Sequence, residues 1–204
     1  MTTFVPPIAT GMNSSTDAKV LQSLGMQGVS LALWQRSLPE DLVQSLDALP
    51  AERLPRLRQC LYPAHIADAV RDACHIAGTG ACSEQLACEI EEIATHAMQV
   101  FSSPLLGVRL DVIERRSCPK WHLDAVLGRM LCTLRGAGTE YGPIGPDGEP
   151  QSIHHMPRGA VGVFRGALWP GPELAAILHR SPQASVEEPR LLLVIDPVDD
   201  AGTC

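Results

Sequence analysis

Pro119-Lys120-Trp121-His122-Leu123-Asp124 reads as a strand, and on an extended chain successive side chains point to opposite faces. Trp121 and Leu123 can then pack on one side while His122 and Asp124 look together into a cavity. An imidazole and a carboxylate placed this way supply two corners of a facial metal triad. Two histidines and one carboxylate suit non-haem Fe(II) and leave the opposite face of the ion open. The third corner must come from another strand, and His179 in Leu178-His179-Arg180-Ser181-Pro182 is the candidate. It ends an apolar run and precedes Arg190-Leu191-Leu192-Leu193-Val194-Ile195, an order that a closing pair of antiparallel strands would bring together. Plainer readings stand beside these. His122 and Asp124 could sit on a polar sheet face, His179 could be a satisfied buried histidine, and Arg190 could pair at the surface with Glu187 or Glu188.

Outward from this stretch the second half of the chain is a series of short β-type segments. They run Val108 to Glu114, Lys120 to Asp124, Arg129 to Arg135, Ala160 to Phe164, Ala175 to His179 and Arg190 to Ile195. Between them lie turn-forming stretches, Gly136-Ala137-Gly138, Gly142 to Gly148 and Trp169-Pro170-Gly171-Pro172. Close-spaced strands without intervening helices predict an antiparallel sandwich or jelly roll and not a Rossmann sheet. The first half is different. Gly28 to Trp34 alternates like a strand, and Leu38-Pro39-Glu40-Asp41 opens a helix with Pro and acids in its first turn. Ala64 to Ile76 and Ser83 to Phe101 carry apolar residues at helical spacing. The chain therefore divides into residues 1–17, expected to fray, a mainly helical part at 18–106, a β core at 107–196 and a tail at 197–204.

The 204 residues suffice for one substantial core. With 16 Lys plus Arg against 23 Asp plus Glu, the net charge of −7 gives no field to attract phosphate backbones or anionic lipid. No nucleic-acid or membrane partner is expected. Met1 to Pro7 lacks a basic segment followed by an apolar one, so the expected compartment is the cytoplasm. Seven cysteines without a repeated CxxC spacing read as reduced thiols, and Cys74-His75 with Cys82 and Cys88 reads as ordinary packing.

The order His122-x-Asp124, then Pro157 to Phe164 with its glycines, then His179, then Arg190 resembles the Fe(II)/2-oxoglutarate dioxygenases of the double-stranded β-helix class. The resemblance implies an α+β protein with a jelly-roll, cupin-like core at 107–196 and amino-terminal helices packed on its sheet. It implies His122, Asp124 and His179 as iron ligands and Arg190 as the fork for the distal carboxylate of 2-oxoglutarate. Arg135 is the runner-up for that fork. The blocks CPKWHLD (118–124), LCTLRGAGTE (131–140), PRGAVGVFRG (157–166), LHRSP (178–182) and RLLLVID (190–196) resemble more closely a bacterial family known by number as a domain of unknown function. That likeness implies a link to zinc-handling GTPases.

Two further readings use the same residues. The three ligands could hold tetrahedral Zn in an accessory protein of metal homeostasis, with water in the fourth position. Alternatively the chain could be a metal-free, cupin-like interaction module. Thr139 and Glu140 are expected to orient the Gly136-Ala137-Gly138 loop, and His154-His155 to be exposed. Nothing in the loops specifies a substrate.

Overall fold

The computed structural model describes residues 6–115, 119–185 and 187–198. In chain order the elements are β1 (Ile8–Ala9), β2 (Gly11–Ser15), a 3-10 helix at Ala18–Gly25, β3 (Val29–Trp34), α1 (Glu40–Ala48) and β4 (Leu57–Leu61). There follow α2 (Ile66–Ala77), α3 (Ser83–Phe101), β5 (Leu106–Ile113), β6 (Gly128–Arg135), β7 (Glu140–Pro143) and β8 (His154–His155). The chain ends with β9 (Val161–Arg165), β10 (Leu174–Ala175), β11 (Ile177–Arg180) and β12 (Arg190–Pro197).

The helices begin and stop for local reasons. Pro39 precedes α1, whose first turn holds Glu40 and Asp41 against the exposed N–H groups. The α2 helix ends where Gly78 enters the left-handed region at φ 68°. Along α3, Leu86, Ile90, Ile93 and Ala97 recur every three or four residues and are fully buried.

Seven strands pair in the order β2-β3-β9-β6-β12-β5-β4, and three form a smaller sheet in the order β11-β7-β8. The smaller sheet is extended at His122, which exchanges backbone hydrogen bonds with His179 (N to O 3.2 and 3.1 Å). From β5 onward the chain passes repeatedly between the two sheets: β5 large, His122 small, β6 large, β7 and β8 small, β9 large, β11 small, β12 large.

Strand alternation assigns each large-sheet residue to one of two cores. Leu191, Leu193 and Ile195 of β12, Met130, Cys132 and Leu134 of β6, and Val108 and Leu110 of β5 join the cluster that includes the helices. Leu192, Val194 and Leu131 face the other way and pack with Tyr141, Phe164 and Ile177 between the sheets. Both faces of β12 are thus covered, which explains its unbroken apolar run. The same alternation puts Arg190 on the inter-sheet side with Leu192 and Val194, and Arg129 and Thr133 there with Leu131.

The structure departs from the sequence reading in four places. Residues expected to fray instead form β1 and β2: β1 pairs in parallel with β10 and β2 with β3, and Ser30 Oγ donates to Ala9 O at 2.7 Å. A strand, β4, interrupts the part expected to be helical and closes one edge of the large sheet against β5. Lys120 to Asp124 is not a regular strand, since only His122 bridges to a neighbour. Among the cysteines, Cys74, Cys82, Cys88 and Cys132 are free as expected, whereas Cys60 on β4 is disulfide-bonded. Cys118 and Cys204 lie outside the described residues. No helix among those residues is long and apolar enough to cross a membrane.

Candidate metal centre and anion pocket

Although Lys120 to Asp124 lacks a full ladder, the single bridge brings its side chains to β11. Ligand atoms of His122, Asp124 and His179 all lie within 4.8 Å of one another. Among the described residues this is the only group of three or more His, Cys, Asp or Glu with such spacing. His122 sits at the rim, and Asp124 and His179 lie deeper.

The hydrogen bonds decide what these atoms offer. Nδ1 of His122 lies 2.9 Å from Lys120 O. A carbonyl only accepts, so Nδ1 carries the proton of the neutral ring and Nε2 presents its lone pair, 3.8 Å from Asp124 Oδ1. This is the tautomer that metal-binding histidines adopt when a backbone carbonyl holds the other nitrogen. Nε2 of His179 lies 2.9 Å from Asp124 Oδ2, yet that oxygen is buried and accepts no hydrogen bond, and Nδ1 of His179 is also buried without a partner. In the metal-free protein a proton on His179 Nε2 faces Oδ2, and a cation that displaces it meets two imidazole nitrogens and a carboxylate oxygen. Two imidazole nitrogens and a carboxylate oxygen fit Fe(II) and Zn alike.

Asp124 is held from behind by Arg129, whose Nη1 contacts Oδ1 while Nε and Nη2 form a fork with Asp196 at 2.7 Å each. The fork fixes the guanidinium, and the guanidinium fixes one carboxylate oxygen so that Oδ2 faces the histidines. Arg129→Leu should lower metal affinity by roughly 10–100-fold, the cost usual for losing a contact that orients a ligand. Calorimetric metal titration would measure it, and Arg129→Lys, which keeps charge but not the fork, should recover little.

In the metal-free protein burial pushes the Asp124 carboxyl up, but the hydrogen bond and charge of a protonated His179, with the charge of Arg129 and of His122 when it too is protonated, outweigh burial and hold it at about 2. A depressed carboxyl contributes stability that is complete above its unfolded-state value and is lost as pH falls through the folded one. Metal-free protein should therefore lose ~2 kcal/mol between pH ~4 and ~2 through this residue, and Asp124→Asn should remove that part of the slope. Denaturant titrations across that range would show it.

Two of the three ligand candidates, His122 and His179, line a cavity of about 120 Å³ between the sheets together with Arg129, Thr139 and Arg190. Arg190 is 1% exposed and has no carboxylate partner among the described residues. Its Nη2 donates to Thr133 Oγ1 (2.9 Å) and Thr139 Oγ1 (2.6 Å), and its Nε has no partner. Burial pulls this guanidinium down to about 10, countered only weakly by Cys132. Such a group is costly to keep charged in a protein interior unless an anion reaches it.

Other sequence candidates fall elsewhere. Arg135 donates to Leu49 O at 2.5 Å and, with Asp47, Arg158, Glu187 and Glu188, lines a second recess that Arg190 also borders. It does not line the cavity shared by His122 and His179, because it follows Thr133 on β6 where the sheet runs out toward α1. Thr139 holds Arg190, and Glu140 accepts from Arg180 Nε (2.5 Å), whose guanidinium also covers the Trp121 ring at 4.2 Å. His154 and His155 are exposed, with His154 stacked on Tyr141. Arg109, Asp111, Arg129, Thr133 and Asp196 were not singled out in the sequence, although each shares strand parity with a residue that was, or with its cavity-facing neighbours.

A two-sheet core carrying a His-Asp-His group invites comparison with oxygenases, and one solved structure shares the fold. Dioxygenase for auxin oxidation 1 from Arabidopsis thaliana, in its binary complex with 2-oxoglutarate, aligns at a TM-score of 0.53 and 11% identity. That alignment covers 96% of this chain and 100% of the other. A Pseudomonas putida prolyl-4-hydroxylase aligns at 0.47 with 16% identity over 88% and 92% of the two chains. The rice dioxygenase for auxin oxidation aligns at 0.45 with 16% identity over 93% and 83%. The first likeness shows the fold, a dioxygenase-type jelly roll with added helices. Over residues 15–196 the sequence matches the family described as protein of unknown function (DUF1826), and the chain belongs to that family. No curated protein matches it.

Proposed function

We propose that this protein is an Fe(II)- and 2-oxoglutarate-dependent oxygenase built on a closed double-stranded β-helix. The alternation of strands between the two sheets supports the closure. The observation that carries the activity is Arg190, a buried cation without a counterion among the described residues, in the cavity that also reaches His122 and His179. A diacid with one end at the metal and the other at Arg190 satisfies both. In this reading 2-oxoglutarate, the molecule in the Arabidopsis complex, is that diacid.

His122, Asp124 and His179 would hold the iron, which would supply oxidation by O2: 2-oxoglutarate goes to succinate and CO2, one oxygen atom entering succinate and the other a substrate C–H bond. The chain's own residues bind and orient. Arg190 grips the distal carboxylate through Nε and its remaining N–H groups. Thr133 and Thr139 accept from Nη2 and keep their own hydroxyl protons free to donate to the same carboxylate. Leu131, Leu192 and Val194 exclude water from the bound diacid, which strengthens every charge contact within. Arg129 holds Asp124 in one orientation throughout.

The same donor set suits zinc, and a zinc-binding accessory protein is the reading to be separated by experiment. Protein incubated with Fe(II), 2-oxoglutarate and O2 should form succinate even without its substrate, slowly, and His179→Ala should not. Stoichiometric zinc kept through purification, with no succinate formed after exchange to iron, would favour the zinc protein.

A further inference from the structure

Of the three candidate ligands, His122 has the least backbone support. His179 lies within β11. Asp124 is held by Arg129 and by a run of backbone bonds, Ala167 N donating to Asp124 O at 2.8 Å, Leu168 N to Val126 O at 3.1 Å and Gly166 N to Leu127 O at 2.9 Å. His122 has its two backbone bonds to His179 and, among the described residues, no ladder on either side. Its ring is tied to its own segment, since Nδ1 is held by Lys120 O at 2.9 Å, so ring and segment turn together. A single bridge fixes the position of an extended segment better than its rotation about the chain axis. That rotation decides where Nε2 points.

The side chains on the other face supply what the ladder does not. The antiparallel bridge sets His122 opposite His179 and therefore Trp121 opposite Arg180, and the register of β11 on β7 sets His179 opposite Tyr141 and Arg180 opposite Glu140. Directly opposite residues share a face and successive ones alternate. His122, His179 and Tyr141 thus form one row, and Trp121, Arg180 and Glu140 the row behind it. The back row is joined throughout. Arg180 Nε donates to Glu140 Oε2 at 2.5 Å, and its guanidinium lies 4.2 Å from the centre of the Trp121 ring. The Arg180 and Glu140 side chains are only 23% and 14% exposed, so the stack is partly withdrawn from water, where a cation over an indole is held most strongly.

We infer that Trp121, Arg180 and Glu140 are positioning residues of the metal centre. Glu140 orients the guanidinium, the guanidinium grips the indole, and the indole, on the residue before His122, sets the rotation that aims Nε2 at the ion. Arg180 does for His122 what Arg129 does for Asp124. The inference rests on the metal reading of the triad and holds for iron and zinc alike, so its test needs no turnover.

On the full chain, Zn affinity is read by competition with a chromophoric chelator, and the visible absorption of bound Co(II) reports the coordination. Trp121→Leu removes the stack but leaves the Arg180–Glu140 pair, and Arg180→Met removes the cation. Each should weaken Zn binding about tenfold, the low end of what loss of a ligand-orienting contact costs. Trp121→Phe, which keeps a ring for the guanidinium, should stay near wild type. The Co(II) spectrum of Trp121→Leu should move toward that of His122→Ala, which a general loss of stability would not cause. Because the row acts through His122, Trp121→Leu should weaken the residual Zn binding of His122→Ala no further, whereas its effect should add in full to that of Arg129→Leu, which acts through Asp124. Wild-type Zn affinity in Trp121→Leu, a full further loss in the His122→Ala background, or a loss in Trp121→Phe equal to that in Trp121→Leu would each overturn the assignment. Failure of wild type to bind Zn or Co(II) would remove the metal centre and this role with it. The expected pattern in a protein that forms no succinate would keep the row and remove the oxygenase reading alone.

Discussion

Arg190→Met should make the protein more stable and abolish the 2-oxoglutarate binding proposed for it. The two effects have one cause. In the folded chain the guanidinium is buried, lacks a carboxylate and is pulled down to about 10, which corresponds to ~3 kcal/mol of unfavourable burial. Methionine fills similar space without the charge, and replacing buried charged groups with apolar ones of similar volume is often neutral or stabilising by 1–4 kcal/mol. Part of the gain is offset because Thr133 and Thr139 lose the donor they share. A net gain of ~1–3 kcal/mol should raise Tm by about 3–8 °C in a chain of this length. Binding should move the other way, with affinity for 2-oxoglutarate falling at least a hundredfold, since the loss of a buried charge-assisted contact costs several kcal/mol. Thermal unfolding and equilibrium binding on one preparation would measure both. A variant that is destabilised by several kcal/mol would mean that Arg190 has a structural partner and is no site for an anion.

The second large effect is at Asp124. Asp124→Ala should abolish tight metal binding, because it removes the one anionic ligand and the atom that Arg129 positions. The loss should exceed the roughly 10–100-fold expected when only a supporting contact goes. The fold should survive. Arg129 keeps its fork to Asp196, so no buried cation is stranded, and the cost should stay near 1–2 kcal/mol. His122→Ala and His179→Ala should likewise lose metal, whereas His65→Ala, at an exposed position far along the chain, should not. Metal content after dialysis, read beside circular dichroism, would separate loss of site from loss of fold. Retention of stoichiometric metal by Asp124→Ala would remove the triad.

Much of this was legible in the sequence because period two survives in the strands. Arg190, Leu192 and Val194 had to face one way once Leu191, Leu193 and Ile195 faced the helices, and His122 and Asp124 could be paired by the same rule. The long helix from Ser83 to Phe101 was equally plain, since its apolar spacing is regular and its ends are marked. What could not be read depended on contacts between distant segments. The strand Gly11–Ser15 is made by backbone pairing with β3, which no local propensity of Gly, Asn and Ser announces. Leu57–Leu61 is too short and too mixed to show a period, and it becomes a strand because β5 offers an edge. Arg135, the runner-up to Arg190 as a clamp, could not be set apart by sequence, and only the structure shows Arg190 and not Arg135 lining the cavity with His122 and His179. Arg129 and Asp196 escaped notice because a supporting ion pair carries no motif, only parity with cavity-facing neighbours.

The central claim is that one cavity takes a metal at His122, Asp124 and His179 and a dicarboxylate at Arg190. Anaerobic titration of Fe(II)-loaded protein with 2-oxoglutarate, followed in the visible spectrum, tests it most directly. A metal-to-ligand charge-transfer band should appear and saturate at one equivalent in wild type and in Arg135→Ala, and should be absent in His179→Ala and in Arg190→Met at the same concentrations. Iron bound at stoichiometry with no band in wild type, or a band that survives undiminished in Arg190→Met, would contradict it.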